Sequence, residues 1–306
     1  MGSLWWFLCA IIALFCWSGS DLFSKIGCRD EDDKTSHLKM VVAVGVVMGL
    51  HAAYEIFIGG VDINFDVIIR YLPVSLLYIS SMTIGYLGLR YIELSISSPI
   101  CNSSGAMVAV LIFATKGIGE DSPPAALVAV ALVSIGVISL GITEAREDEE
   151  LRAARQSAAN RKYAKSWIAI AIPVVYCLLD ALGGYADSRV LETLDESSAN
   201  VAYELTFLFT AAVCAVILLA KGARFTFRRE LPKYAGAVCE TVGQFFYIFA
   251  MADEEHVAFA APIISSYCVL SVVWSRIFLK EKLSAKHYAS IALVVAGIVI
   301  LGVLDM

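Results

Sequence analysis

Residues 124–142 read PAALVAVALVSIGVISLGI, nineteen positions without a single charge. A helix of about 20 such residues crosses the hydrocarbon core of a bilayer. Lipid offers no partner to a bare N–H or C=O, so an apolar run of this length predicts a spanning helix. Working outward, further apolar runs fall near 4–27, 38–58, 70–91, 98–116, 167–190, 199–220, 233–252, 257–279 and 285–304. Ten runs in 306 residues predict an all-α membrane protein of about ten transmembrane helices.

The composition agrees. Hydrophobic residues make up 59% of the chain and charged residues 17%, and the mean hydropathy is +0.75. A soluble domain needs far more charge to cover its surface. The net charge of −6 argues against a nucleic-acid partner. The opening Met1-Gly2-Ser3-Leu4-Trp5-Trp6 has no basic region, so a cleavable signal peptide is not expected. Trp6 also breaks the myristoylation pattern. Of eight cysteines, all but Cys28 fall inside apolar runs and none forms a C-x-x-C pair. They read as small packing residues, with neither a metal site nor a disulfide framework implied.

The connectors carry the direction. Only Arg70, Lys116 and Arg189 lie on one side of the predicted spans; the other 20 basic residues lie on the opposite side. Positive loops stay in the cytoplasm. The loops after spans 1, 3, 5, 7 and 9 are then cytoplasmic, and both termini face outward from a plasma (inner) membrane. The longest connector, 143–166, contains EAREDEELRAARQSAANRKYAK and reads as a charged cytoplasmic linker.

That linker divides two similar halves, 1–142 and 167–306. Arg70-Tyr71-Leu72-Pro73 is echoed by Arg229-Glu230-Leu231-Pro232, and Ser97-Ser98-Pro99-Ile100 by Ala260-Ala261-Pro262-Ile263. Glu120 precedes Gly136…Gly141 at the same distance as Glu281 precedes Gly297…Gly302. Five spans per half force opposite orientations, so the halves are inverted repeats. Such repeats characterise secondary transporters, with a substrate site between them near the bilayer midplane.

These residues resemble the drug/metabolite transporter superfamily, specifically its EamA-like ten-helix members. Trp17-Ser18-Gly19-Ser20-Asp21-Leu22-Phe23-Ser24-Lys25 in span 1 is similar to the family's Trp-Gly-…-Lys pattern, with a fainter copy in Gly183, Ser188 and Arg189. Ala258 to Gly302, with Pro262, Glu281 and Gly297…Gly302, looks most like the family. The resemblance implies two five-helix EamA-like repeats. Family members commonly begin and end with basic residues, which puts their termini inside. This chain has none before Lys25 or after Lys286, so direction of transport does not carry over.

A charge at mid-span costs about 2.5–3.5 kcal/mol and needs a reason. Asp180 and Glu240 sit deepest. Helical spacing puts Tyr176, Asp180, Gly183 and Asp187 on one face, and Glu240, Gln244 and Tyr247 on another. Either acid suits a proton or a cationic group of substrate; the alternative is a structural carboxyl held by neighbouring hydroxyls. Asp21 stands one turn from Lys25, as a proton-coupling or ion-pairing acid. Glu204 lies near the start of span 7, and His51 and Glu55 are a turn apart in span 2. After Pro99 come Asn102, Ser103 and Ser104; after Pro262 come Ser265, Ser266 and Tyr267. Proline frees carbonyls there, and the hydroxyls serve either a solute or interhelical contact. Trp17 and Tyr78 are placed to stack on a substrate ring. Ser20 and Ser81 complete the candidate cavity.

The chain has no phosphate loop for primary active transport, no H-E-x-x-H or G-x-S-x-G for a membrane enzyme, and no region long enough for a soluble sensor. The expected function is secondary transport, as an exporter, of a small polar metabolite by alternating access, with proton coupling. A non-transporting scaffold or sensor and a membrane-embedded enzyme are the rival readings. No catalytic residue, metal or cofactor is implied. The expected partners are a small-molecule substrate and the lipid bilayer, with the chain as a monomer or homodimer.

Overall fold

The computed structural model describes residues 4–29, 33–92, 94–117, 124–145, 168–279 and 283–304. The described residues form helices and connectors, with no strand among them. The first half holds α1 (Trp5–Cys28), α2 (Ser36–Tyr54), α3 (Phe65–Tyr91), α4 (Leu94–Cys101), α5 (Ser104–Lys116) and α6 (Pro124–Ala145). The second holds α7 (Ile168–Val190), α8 (Glu196–Ala220), α9 (Phe227–Met251), α10 (Val257–Ser265), α11 (Tyr267–Trp274) and α12 (Ala285–Leu304). Each half therefore has five spans, the fourth being broken into two pieces. The linker after Ala145, Trp167, Glu120 and Glu281 lie outside the described residues.

Among the described residues six helical stretches are long and apolar enough to cross a membrane, and Pro124–Leu140 and Ala285–Leu301 are shorter apolar helices. Large apolar side chains such as Phe57, Phe209 and Val216 point outward. In water that surface would drive association; in lipid it is the proper solvent face. The polar side chains go inward instead. On α9, Glu230, Lys233, Glu240 and Gln244 are all buried. The chain is an integral membrane protein.

Several helices begin earlier than the apolar runs do, two of them at a polar cap. α3 starts at Phe65 rather than 70, because Asn64 caps it by accepting from the Val67 amide at 3.0 Å. α8 starts at Glu196 rather than 199, where Asp195 accepts from the Ser198 amide at 2.9 Å. Polar caps extend a helix beyond its apolar stretch by satisfying free amides.

Helix pairing repeats between the halves. α1 packs along α9, and its counterpart α7 packs along α3. α2 meets α8, α5 meets α10 and α6 meets α12. Exchanging the halves returns the same pairings, as two inverted five-helix repeats require. Close approach allows it: a Cβ on Gly45 would stand 2.3 Å from the Ala211 Cβ and 2.7 Å from the Phe207 carbonyl oxygen.

The broken spans are also matched. Between α4 and α5 the chain turns at Asn102 and Ser103, three residues past Pro99; between α10 and α11 it turns at Ser266, four past Pro262. Proline removes one helical hydrogen bond and crowds the preceding turn. Irregular backbone at membrane depth persists where protein or a cavity covers it, and Asn102 and Ser266 at the breaks are buried.

Candidate functional site

A cavity lies between the two halves and is lined by both. The space between atoms inside it totals about 960 Å³, its solvent mouth included. That matches the size range of small-molecule sites.

Three carboxylates face it, each fixed by a hydroxyl from another helix. Ser20 on α1 donates to Glu240 Oε2 on α9 at 2.7 Å. Ser104 on α5 donates to Asp180 Oδ2 on α7 at 2.7 Å. Asp21 Oδ2 on α1 accepts from Ser98 on α4 at 2.5 Å and from Ser271 on α11 at 2.8 Å. In every case the hydroxyl takes one carboxylate oxygen, and the second takes none of these bonds. Glu240 lies within electrostatic reach of both Asp21 and Asp180. Charges held close in a medium of low dielectric constant feel each other strongly.

Aromatic rings form the rest of the wall. Trp17 lies 4.9 Å from the Tyr247 ring and 5.8 Å from Tyr267. Tyr78 stands edge-on to Tyr203 and Tyr247, and its hydroxyl bonds that of Tyr247. Trp17 fits because position 243 is glycine: a Cβ there would come within 2.4 Å of its Cδ1. Around the same cavity, Gln244 Nε2, Trp17 Nε1, Tyr86 Oη and Ser24 Oγ have no hydrogen-bond partner. Unpaired buried donors are costly and call for an acceptor.

The residues expected from sequence come together in large part. Trp17, Ser20, Tyr78, Asn102, Tyr176, Gln244, Tyr247 and Tyr267 line the cavity, with all three acids Glu240, Asp180 and Asp21. Ser81, Ser103 and Ser266 stand behind it. Their hydroxyls return to the carbonyls of Tyr78, Pro99 and Ile263 at 2.8, 3.0 and 2.5 Å, steadying helix turns rather than facing the space.

Ser104, expected to serve a solute or interhelical contact, holds Asp180. Ser98 and Ser271, which hold Asp21, and the rings of Tyr86 and Tyr203 were not in that set. Tyr86 was within reach, since Tyr78, Met82, Gly85, Tyr86 and Leu89 follow one face of α3. Ser271 carries no such signal, because its partner Asp21 is 250 positions away.

Buried polar groups lie toward each end of α3. Toward the start of α3, Tyr71 donates to the fully buried Asp187 at 2.7 Å. Toward the end of α3, Lys25 gives its ammonium to the carbonyls of Leu89 at 2.8 Å and Ile92 at 2.6 Å. Nearby, Glu230 bridges Lys233 at 2.8 Å and Lys39 at 3.3 Å. Away from the cavity, His51 joins α2 to α8, with Nδ1 2.8 Å from Glu204 and Nε2 3.7 Å from Glu55. Among the described residues no group of three or more His, Cys, Asp or Glu is arranged to hold a metal ion.

Residues 196–303, from α8 into α12, match the EamA-like transporter family. The match lies within the second half and covers less than half of the chain, so it is a likeness of that half to the family. No curated protein matches the chain in sequence. Among solved structures 28 chains match. One, titled "Crystal structure of protein", superimposes with a TM-score of 0.65 at 13% identity, over 98% of this chain and 97% of its own. At that identity the likeness is one of fold. It extends over both halves, whereas the EamA-like match covers the second. The cavity thus lies between the two halves of a fold that a solved structure shares over nearly its whole length.

Proposed function

We propose that this EamA-like chain is a secondary transporter that exports a small polar metabolite by alternating access, coupled to protons. The observation that carries the reading is the cavity between the halves, whose acids are each held by a hydroxyl from another helix. Two similar halves exchange roles at little cost in energy, which gives the site access to each side in turn. A carboxylate such as Glu240 can carry a proton in one state and release it in the other, given a change in its surroundings. The Ser20 bond to Glu240 spans α1 and α9, so movement between the halves changes those surroundings directly.

In this reading residues 1–142 and 167–306 are the two repeats and 143–166 is a cytoplasmic linker. The protein resides in the plasma (inner) membrane with both termini outside. One chain supplies both walls of the cavity, so a single copy suffices for transport.

The test is reconstitution into liposomes loaded with a mixture of small metabolites and a pH-sensitive dye. An inward proton gradient is expected to drive loss of a subset of solutes and to collapse faster with protein than without. Glu240→Gln is expected to abolish the dependence on the gradient while leaving the protein folded. Solute loss in the variant that follows the gradient as before would remove Glu240 from coupling.

A further inference from the structure

We propose that the cavity selects a small organic cation, a protonated amine that also carries a hydrogen-bond acceptor. The inference deepens the transporter reading and rests on it only for translocation, since binding is read separately.

Charge is the first argument. Asp21, Asp180 and Glu240 all line the cavity, and among the described residues no Lys, Arg or His lines it. The nearest basic side chain along α1, Lys25, directs its ammonium to the Leu89 and Ile92 carbonyls. An anionic solute would meet three acids with no cation to offset them. Burying like charges together is strongly unfavourable, whereas an ammonium answers the uncommitted oxygens.

Ring faces are the second. Trp17 and Tyr247 lie 4.9 Å apart and Tyr78 joins them through its hydroxyl. The negative face of an aromatic ring attracts a cation, by about 0.5–2 kcal/mol depending on desolvation. Carboxylates beside such rings form a wall suited to an amine on an apolar stem.

Unpaired donors are the third and independent argument. Gln244 lines the cavity at 3% exposure, and its buried amide nitrogen has no hydrogen-bond partner. Tyr86 and Ser24 are likewise buried there with unpartnered hydroxyls. These groups are neutral, so they fit a hydroxyl, ether or carbonyl of the solute. The amine meets the acids and the acceptor meets the donors.

The experiment compares four solutes that share one ring and differ in charge: tyramine, tyrosine, tyrosol and 4-hydroxyphenylacetate. Binding to the purified full chain in detergent at neutral pH is read by calorimetry and by thermal shift. Tyramine is expected to bind about tenfold tighter than the other three. That preference is expected to fall at least fivefold in both Asp180→Asn and Glu240→Gln, and about threefold in Gln244→Leu for tyramine itself. Two acid variants are used so that a folding failure in one leaves the other to decide. Equal or tighter binding of 4-hydroxyphenylacetate or tyrosol, or no binding by any of the four, overturns the inference. Tyramine binding without release from liposomes would uphold it and defeat the transporter reading; gradient-driven loss of anions alone would do the reverse.

Discussion

Ser20 and Glu240 are 220 positions apart in the chain and 2.7 Å apart in space. Their bond crosses from the first half to the second along the α1–α9 seam, where Gly243 lets Trp17 lie flat against the next turn. The acid and its hydroxyl therefore link coupling chemistry to the packing of the halves.

Removing that hydroxyl should loosen the seam. A hydrogen bond to a buried carboxylate contributes about 1–2 kcal/mol when its loss leaves the acceptor short. Ser20→Ala is expected to lower thermal stability in detergent by about that amount, and Ser20→Thr to keep most of it. Thermal melts of the three proteins test this. Equal stability of Ser20→Ala and the parent would mean that the bond does not hold α1 to α9.

Gly243→Ala should act on binding more than on folding. The new Cβ falls 2.4 Å from Trp17 Cδ1 and 2.7 Å from its Nε1, and the indole can swing into the cavity. Gly45→Ala meets the Ala211 Cβ and the Phe207 backbone instead. Backbone cannot swing aside, so α2 and α8 must separate, at about 1–3 kcal/mol. Melting and solute binding measured on both variants should diverge, Gly45→Ala losing stability and Gly243→Ala losing affinity.

The ionic layer beyond α3 gives a sharper contrast. Glu230 is 8% exposed and Lys233 2% exposed at the side chain, and they pair at 2.8 Å. Removing one member of a buried pair strands the other, which costs about 3–5 kcal/mol. Glu230→Gln is expected to fall in that range, while Glu230→Gln with Lys233→Met recovers part of the loss. A double-mutant cycle on thermal stability measures the difference. Strict additivity would show that the two charges are not coupled.

How much of this was legible in the sequence follows from the range of each signal. The uncharged run at 124–142 and its fellows are local, and every one is helical, two of them as a broken pair of helices. Glu240, Gln244 and Tyr247 were legible because spacing along one helix places them on one face. The hydroxyl partners were not, since Ser98, Ser104 and Ser271 reach their acids only after the helices pack. Ser81, Ser103 and Ser266 look identical in sequence to those partners, yet their hydroxyls turn back to their own helices. The breaks after Pro99 and Pro262 were half legible: proline marks the place, but tertiary packing decides that the helix interrupts there.

Asp33, in the connector between α1 and α2, supplies a pH dependence of known sign. Partial burial opposes its charge, but Lys39 at 2.6 Å and the Thr35 hydroxyl and amide at 2.7 and 3.0 Å outweigh that and hold its carboxyl below the ordinary value. A carboxyl that titrates lower in the folded state than its unfolded value, about 3.9, stabilises fully above that value. The contribution is lost as pH falls through the folded value. The melting difference between the parent and Asp33→Asn should therefore be constant near neutrality and vanish on acidification. A difference that grows toward low pH would contradict the sign.

Orientation is the last prediction, and the structure sharpens the charge argument for it. Arg70 pairs with Asp66 at 2.9 Å, while Lys116 and Arg189 share Glu192 at 2.6 and 2.7 Å. That face carries only these three basic residues, so the opposite face, with the other 20, is the one expected in the cytoplasm. The described native cysteines are buried or half-buried, so a cysteine placed at an exposed connector reports cleanly. Asp62→Cys is expected to react with a membrane-impermeant maleimide in intact cells, and Thr226→Cys only after the cells are opened. The reverse pattern would put both termini inside. It would also require the face that carries most of the Lys and Arg to be translocated.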